Sequence, residues 1–257
     1  MSRKIGFIGT GSITEAVVTG LAKVSGQPSE VWLSPRNAAV AARLASQFPF
    51  VKVAAGNQEV LENCDIVCLA VLPQVAHEVL SPLRFKSTHH VLSFIATVNH
   101  VRLKELMPNV ARITRLAPLP MVADLNGPTI IFPTDELATE IFAPLGEAIC
   151  IDEEVPFDAL CAATALMGSY FSMLETYTQW LTEKGVTYDS AKGFLATFYS
   201  GLGSIARNSA DRFSTLAASV STAGGLNEQV AKEMRESGSP EICLRAIENV
   251  YQRIRRA

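Results

Sequence analysis

The sequence predicts an α/β fold, a doubly wound sheet followed by an all-helical C-terminal part. Three observations predict it. Short apolar runs alternate with helical patterns over about the first 150 residues, as parallel strands joined by crossovers require. One run, Asp65 to Gln74, is apolar almost throughout, the mark of a central strand buried on both faces. Beyond Asp152-Glu153-Glu154-Val155-Pro156 no strand pattern recurs. The expected division is therefore 1–153 for the sheet domain and 154–257 for the helical one. At 257 residues the chain has room for both, with a sizeable core.

The chain opens on an apolar run, a turn with two glycines and an apolar pattern at helical spacing (Ile13, Ala16, Val17, Gly20, Leu21, Val24). That is strand, tight turn, helix. Gly9 permits a sharp exit from the strand. Gly11, beyond Thr10, lets a pyrophosphate approach the backbone, and the amides of the first helical turn, at Ser12 and Ile13, face it with the helix dipole behind them. In this context the Gly-x-Gly reads as a Rossmann-type dinucleotide turn. Thr14 stands where Gly or Ala is usual and is expected to loosen the helix–strand packing. The competing reading is a glycine turn that holds no nucleotide.

Glu30 to Ser34 is the expected second strand, ending in Ser34-Pro35-Arg36-Asn37. An NAD site places an acid here for the ribose 2′-hydroxyl. A hydroxyl and a guanidinium instead suit a 2′-phosphate, so NADP(H) is expected over NAD(H). Ala38 to Phe48 is a helix, Val51–Val53 a third strand, and Asn57 a candidate N-cap for the next helix. Pro73 stops the central strand, whose carboxyl end lies at the crevice where open α/β sheets bind ligands. His89 to Ala96 is a fifth strand, Asn99 to Met107 a helix, and Val110 to Leu116 a sixth strand ended by Pro118 and Pro120. Thr129 to Phe132, a short helix from Asp135, and Ala148 to Ile151 complete the sheet. In the C-terminal part, helices are expected over Ala159 to Lys184, Ser190 to Asn208 and Glu241 to Arg255, with a break at Ala223-Gly224-Gly225. Their apolar residues face more than one way, as in a dimer interface; the competing reading is that they pack only on their own sheet domain.

A net charge of −3 carries no nucleic-acid footprint, and the C-terminal arginines read as a solvated helix end. Five scattered cysteines without a Cys-x-x-Cys pair fit a reducing compartment. No signal peptide and no apolar run of membrane-spanning length, about 18 residues, is expected, so the reading is cytoplasmic with no membrane partner. The four histidines lack metal-ligand spacing, so no metal is expected, and no Gly-x-Ser-x-Gly elbow marks a hydrolase.

Taken together, these residues resemble the pyrroline-5-carboxylate reductase family along nearly the whole chain. Ile5 to Gly11 looks like its opening. Cys64 to Gln74 looks like its Ala-Asp-Val-Ile-Ile-Leu-Ala-Val-Lys-Pro-Gln segment, with Leu72 at the Lys, and Val220 to Gly225 looks like its Val-Thr-Ser-Pro-Gly-Gly. The resemblance implies an NADPH domain, a helical dimerisation domain, and a homodimer or higher homo-oligomer through the C-terminal helices. It implies coenzyme contacts at Asn57, at Ala70, Val71, Leu72, Pro73 and Gln74, and at Ala96. Substrate contacts fall at Glu154 and at Ala223, Gly224, Gly225, Leu226 and Asn227. The family follows Pro-Gly-Gly with two threonines, whereas Leu226 and Asn227 stand here. Its Gly-Ser-Gly-Pro-Ala-Tyr has no clear counterpart near Thr164 to Ser169, and its Met-Pro-Asn-Thr-Pro is Ala117 to Met121. The coenzyme half is kept and the substrate half rewritten. The implied reaction is hydride transfer to a cyclic imine. A different imine or a ketoacid, and a weakly catalytic NADP-binding regulator, are the alternatives. No side chain stands out as a general acid.

Overall fold

The structure is a computed structural model that describes residues 3–26 and 28–256. It divides into two compact units. One runs to Ala162 and takes back the chain from Tyr251; the other is Ala163–Val250.

The first unit is built on eight strands in the order β3-β2-β1-β4-β5-β6-β7-β8. They are β1 (Lys4–Ile8), β2 (Glu30–Leu33), β3 (Val51–Val53), β4 (Ile66–Leu69), β5 (His90–Ser93), β6 (Arg112–Pro118), β7 (Gly127–Phe132) and β8 (Gly146–Cys150). Strands β1 to β6 are parallel, β7 runs antiparallel to β6, and β8 is parallel to β7. The order reverses at β1, where Phe7 pairs with Leu33 on one side and Cys68 on the other. Helices α1 (Ser12–Lys23), α2 (Ala38–Gln47), α3 (Asn57–Asn63), α4 (Ala76–Leu80), α5 (His100–Leu106) and α6 (Glu136–Phe142) connect the strands. Alternate side chains of β4 feed two cores, as strand geometry requires. Ile66 and Cys68 join Phe7, Leu21 and Phe142, while Val67 and Leu69 join Ile8, Leu61 and Leu103.

Side-chain caps set several helix starts. Asn99 Oδ1 accepts the Arg102 amide at 2.8 Å, and Asp135 Oδ1 the Ala138 amide at 2.7 Å. Several boundaries differ from the sequence reading by a few residues: β5 is shorter than expected, β7 and β8 begin earlier, and α3 and β6 differ for identifiable reasons. Gly56, not Asn57, is the N-cap of α3, and Glu59 reaches back to the Ala55 amide at 2.6 Å. Strand β6 runs on through Pro118, which sits at its last position, where a missing donor is tolerated.

The C-terminal helices are α7 (Glu154–Ala163), α8 (Leu166–Glu183), α9 (Tyr188–Asn208), α10 (Phe213–Ser219), α11 (Leu226–Glu236) and α12 (Ser239–Arg255). The single helix expected from Ala159 is two, because the turn at Thr164-Ala165 has no Gly or Pro to mark it. Helix α7 packs within the first unit, with Phe157 and Ala162 fully buried. By length and composition Glu154–Glu183 is apolar enough to cross a membrane, which corrects the expectation that no run reaches that length. That stretch contains the α7–α8 break and the buried, ion-paired Asp158.

Candidate coenzyme site

The glycine turn is held from three directions. Gly9 leaves β1 at φ +103°, and a Cβ on it would lie 2.4 Å from the Ala70 carbonyl oxygen at the end of β4. Only glycine meets both conditions. The Ser34 hydroxyl accepts the Gly9 amide at 2.8 Å, and the Thr10 hydroxyl donates to the Ser34 carbonyl at 2.7 Å. The Thr14 hydroxyl donates to the Gly9 carbonyl at 2.7 Å. Thr14 is fully buried, so instead of loosening the packing it pins the turn. Ser34 likewise has another task than the one expected of it. It is 1% exposed and its hydroxyl is committed to the turn, not turned toward a ribose phosphate.

Above the turn lies a crevice of about 450 Å³, walled by Gly9 to Gly11, by Arg36 to Ala38 after β2, and by Ala70 to Leu72 with Val75 after β4. This is the switch point of the sheet, where the carboxyl ends of β1, β2 and β4 meet. A Cβ on Gly11 would meet nothing within 4 Å, so the space beside its backbone is open. No side chain caps α1, leaving the first-turn amides at Ser12 and Ile13 available to an anion. Arg36 is the one charged residue on the wall among the described residues, and no acid accompanies it. Asn37 lies beside it and caps α2 through a 3.4 Å contact to the Val40 amide. Leu72 is 70% exposed at the rim. Asn57, Pro73, Gln74 and Ala96 are not on the wall. Pro73 and Gln74 begin a 3₁₀ turn just beyond it, and Ala96 follows the neighbouring strand β5. The residues present fit a dinucleotide with a phosphate at its ribose end.

A second constellation was not singled out in the sequence. Arg115 on β6 is 1% exposed. Its Nη1 pairs with Glu154 Oε1 at 2.7 Å, and its Nη2 donates to the Ala96 carbonyl at 2.8 Å and lies 3.1 Å from Asp158 Oδ1. The Phe157 ring lies 4.6 Å from its Cζ. Asp158 Oδ2 in turn pairs with Arg255 at 3.2 Å, which raises the Arg255 pKa. Glu154 Oε1 also accepts the His100 amide at 3.0 Å. Burial lowers the His100 pKa; the nearby Lys104 and Arg115 charges reinforce this and Glu154 opposes it. Glu154, expected at the substrate, thus holds Arg115 instead. The signal in the sequence is an arginine inside a strand, between Ile113-Thr114 and Leu116-Ala117, with acids four residues apart at the start of a helix.

Comparison with known proteins agrees with this architecture. The model of a family described as NADP oxidoreductase, coenzyme F420-dependent, matches residues 4–99. The pyrroline-5-carboxylate reductase dimerisation model matches residues 156–257. The pyrroline-5-carboxylate reductase of Vibrio alginolyticus is 24% identical over 263 residues, covering 98% of this chain and 96% of that one. Over nearly its whole length the chain is thus similar to pyrroline-5-carboxylate reductases, and its C-terminal part matches the dimerisation domain of that family. The 1-pyrroline-5-carboxylate reductase of Streptococcus pyogenes has the same fold, with a TM-score of 0.85 at 21% identity over 99% of this chain and 98% of that one. So does a Plasmodium falciparum pyrroline carboxylate reductase with NADP bound, with a TM-score of 0.84 at 18% identity over 98% and 97%.

The stretch that resembles this reductase family in the second unit closes on itself. Between α10 and α11, Gly224 has φ +74°, and its amide donates to Glu228 Oε2 at 2.6 Å. Asn227 Nδ2 donates to the Val220 carbonyl at 2.7 Å. A Cβ on Gly225 would meet Thr222 Oγ1 at 2.5 Å. Leu226 is 83% exposed at the start of α11, beside Ala223 and the two glycines.

Proposed function

We propose that the chain is an NADPH-dependent reductase that transfers a hydride to a cyclic imine, pyrroline-5-carboxylate or a close analogue, giving proline or the corresponding cyclic amine. The observation that carries this reading is the glycine crevice with Arg36, and no acid, at its β2 end. Gly9, Thr10, Gly11, Ser12 and Ile13 hold the pyrophosphate through backbone amides. Arg36 and Asn37 take the 2′-phosphate and favour NADPH over NADH, because a guanidinium offers forked donors to phosphate oxygens. Ala70, Val71 and Leu72 wall the crevice. Asn57, which follows β3 on the ribose side of the switch point, is a further coenzyme contact, and Pro73, Gln74 and Ala96 flank the nicotinamide half. The coenzyme, when bound, supplies the hydride. A protonated imine is already electrophilic, so the protein's task is placement and exclusion of water.

Ala223 to Asn227 are the proposed substrate contacts. Glu154 is kept as a residue that shapes the site through Arg115. The coenzyme domain is 1–153 and the helical domain 154–257, although α7 packs with the sheet. The match to the dimerisation model supports a homodimer through the C-terminal helices. Five cysteines outside any disulfide, three of them buried, support a reducing cytoplasmic setting. Leu226 and Asn227, in place of two hydroxyl-bearing residues, favour a second reading in which the imine differs from pyrroline-5-carboxylate.

The test follows NADPH absorbance at 340 nm with pyrroline-5-carboxylate, a panel of cyclic imines and α-ketoacids. Turnover of about 1 s⁻¹ or faster with the first is expected. Saturable NADPH binding without turnover on any member overturns the reductase reading in favour of a regulator. Sedimentation at micromolar concentration gives a dimer or larger assembly if the helical domain self-associates.

A further inference from the structure

We propose that Arg115 is a positioning residue for hydride transfer: its guanidinium fixes the Ala96 carbonyl at the exit of β5 and ties it to α7 and to the last turn of α12. The inference rests on the reductase reading above.

The sheet order gives the direction in which a coenzyme lies. Arg36, at the exit of β2, draws the phosphorylated ribose to that side of the switch point. The other half of a dinucleotide would then extend over the carboxyl ends of β4 and β5, where Ala70 follows β4 directly and Ala96 lies in the turn that follows β5. No side chain of Ala96 can be held, so its position depends on its backbone. The 2.8 Å bond from Arg115 Nη2 to its carbonyl oxygen does the holding.

Arg115 is itself fixed from the far side. Glu154 takes Nη1, Asp158 lies beside Nη2, and the Phe157 ring covers the guanidinium. Glu154 and Asp158 are one turn apart on α7, and Arg255 joins the cluster through Asp158. Asp158 precedes the point where the chain leaves for the second unit by one turn, and Arg255 follows the point of its return by one turn. Within the first unit, the cluster therefore ties α7 and the last turn of α12 to the Ala96 carbonyl. Each charge of a buried ion cluster is held where its partners compensate it, so moving one member is costly and the guanidinium stays in place.

The test compares Arg115→Met, Arg115→Lys and Arg255→Ala with the wild-type protein. Two readouts are taken: the dissociation constant of NADPH, and the fluorescence lifetime of the bound nicotinamide. Turnover and its isotope effect with 4-deuterated NADPH are read alongside. Arg115→Met is expected to keep NADPH affinity within about threefold while its bound nicotinamide lifetime falls toward that of free coenzyme, because the pyrophosphate contacts are untouched. Its kcat falls about 30- to 100-fold, the scale on which a misplacement near 1 Å acts, with the isotope effect raised. Arg115→Lys recovers part of both. Arg255→Ala, at a half-exposed partner, moves both in the same direction by about threefold.

A wild-type lifetime and kcat in Arg115→Met overturn the proposal. So does an NADPH affinity that falls in step with kcat, which marks a general structural role. If Arg115→Met does not fold, Arg255→Ala decides, and an unchanged lifetime there overturns it. Should the wild-type protein reduce no imine, the reductase reading fails, while the lifetime comparison still judges the placement of Ala96.

Discussion

Replacing each turn glycine by alanine separates what the turn costs to build from what it does. At Gly9 the added Cβ lies 2.4 Å from Ala70 O, 2.6 Å from its carbonyl carbon and 2.9 Å from the Val71 amide nitrogen. All three are backbone atoms of the β4 exit and cannot rotate away. Overpacking of this kind costs about 1–3 kcal/mol. Holding an L-residue at φ +103° adds roughly 1–2 kcal/mol. The sum, roughly 2–5 kcal/mol, is a large part of a typical stability of about 5–15 kcal/mol. At about 2–4 °C per kcal/mol it lowers the melting temperature by roughly 4–20 °C. Gly11 is different. Its Cβ meets nothing within 4 Å, and its backbone, at φ −100°, suits any residue. Alanine at that N-cap costs about 1 kcal/mol, hence about 2–4 °C. Yet the methyl stands where a pyrophosphate would approach, so NADPH affinity falls at least tenfold, about 1.4 kcal/mol. Thermal melts without coenzyme and fluorescence titration with NADPH measure the two effects. The reasoning is refuted if Gly9→Ala melts within about 2 °C of wild type, or if Gly11→Ala binds NADPH normally.

The same titration distinguishes the two residues after β2. Arg36→Ala weakens NADPH by about 10- to 150-fold and leaves NADH nearly unchanged, because only the charge-assisted bonds to the extra phosphate are lost, about 1.5–3 kcal/mol. Ser34→Ala weakens both coenzymes by a similar factor of about 2 to 12, since its hydroxyl holds the Gly9 amide and no part of the ligand. Glu30 should shape the acid limb of stability. Hydrogen bonds from Lys52, then Trp32 and Lys4, lower its pKa from 4.5 to about 2 in the folded chain. The contribution is therefore full above 4.5 and is lost as pH falls toward 2. Urea melts of Glu30→Gln should differ from wild type at pH 6 and converge with it near pH 2. A constant difference refutes the assignment. Burial pushes the thiols of Cys64 and Cys161 up to about 12, and that of Cys68 up as well. All three should stay unlabelled by a disulfide reagent until the protein is unfolded.

The sheet was legible because its signals are local. The two-glycine turn, the apolar run of β4 and the caps at Asn99 and Asp135 each declare themselves within a few residues. What stayed hidden depends on pairing across distance. Nothing near Ser34 says that its hydroxyl will meet Gly9, 25 residues away, and a serine beside an arginine reads as a phosphate site. Thr14 looks like a misfit until its hydroxyl is seen to find the Gly9 carbonyl. Arg115 and Glu154 are 39 residues apart, and only the fold makes them partners. The break between α7 and α8 was missed for the opposite reason. Its local sequence carries the same apolar spacing as the helices on either side.

The second unit cannot be a finished structure on its own terms. Among its described residues only Thr178, Ala191 and Leu195 are buried, although it has five helices in whole or part. Phe171 is 67% exposed, Phe194 63%, Trp180 57% and Leu244 67%. Isolated helices are marginal in water, and protein helices are held mainly by packing of their apolar faces. Each large apolar side chain left in water forgoes about 1.5–3 kcal/mol of burial. A second copy of the chain would present the same apolar faces, and obligate interfaces have the composition of a core divided between two chains. Folding of this unit and assembly would then be one event, so its stability would depend on protein concentration while that of the glycine crevice would not.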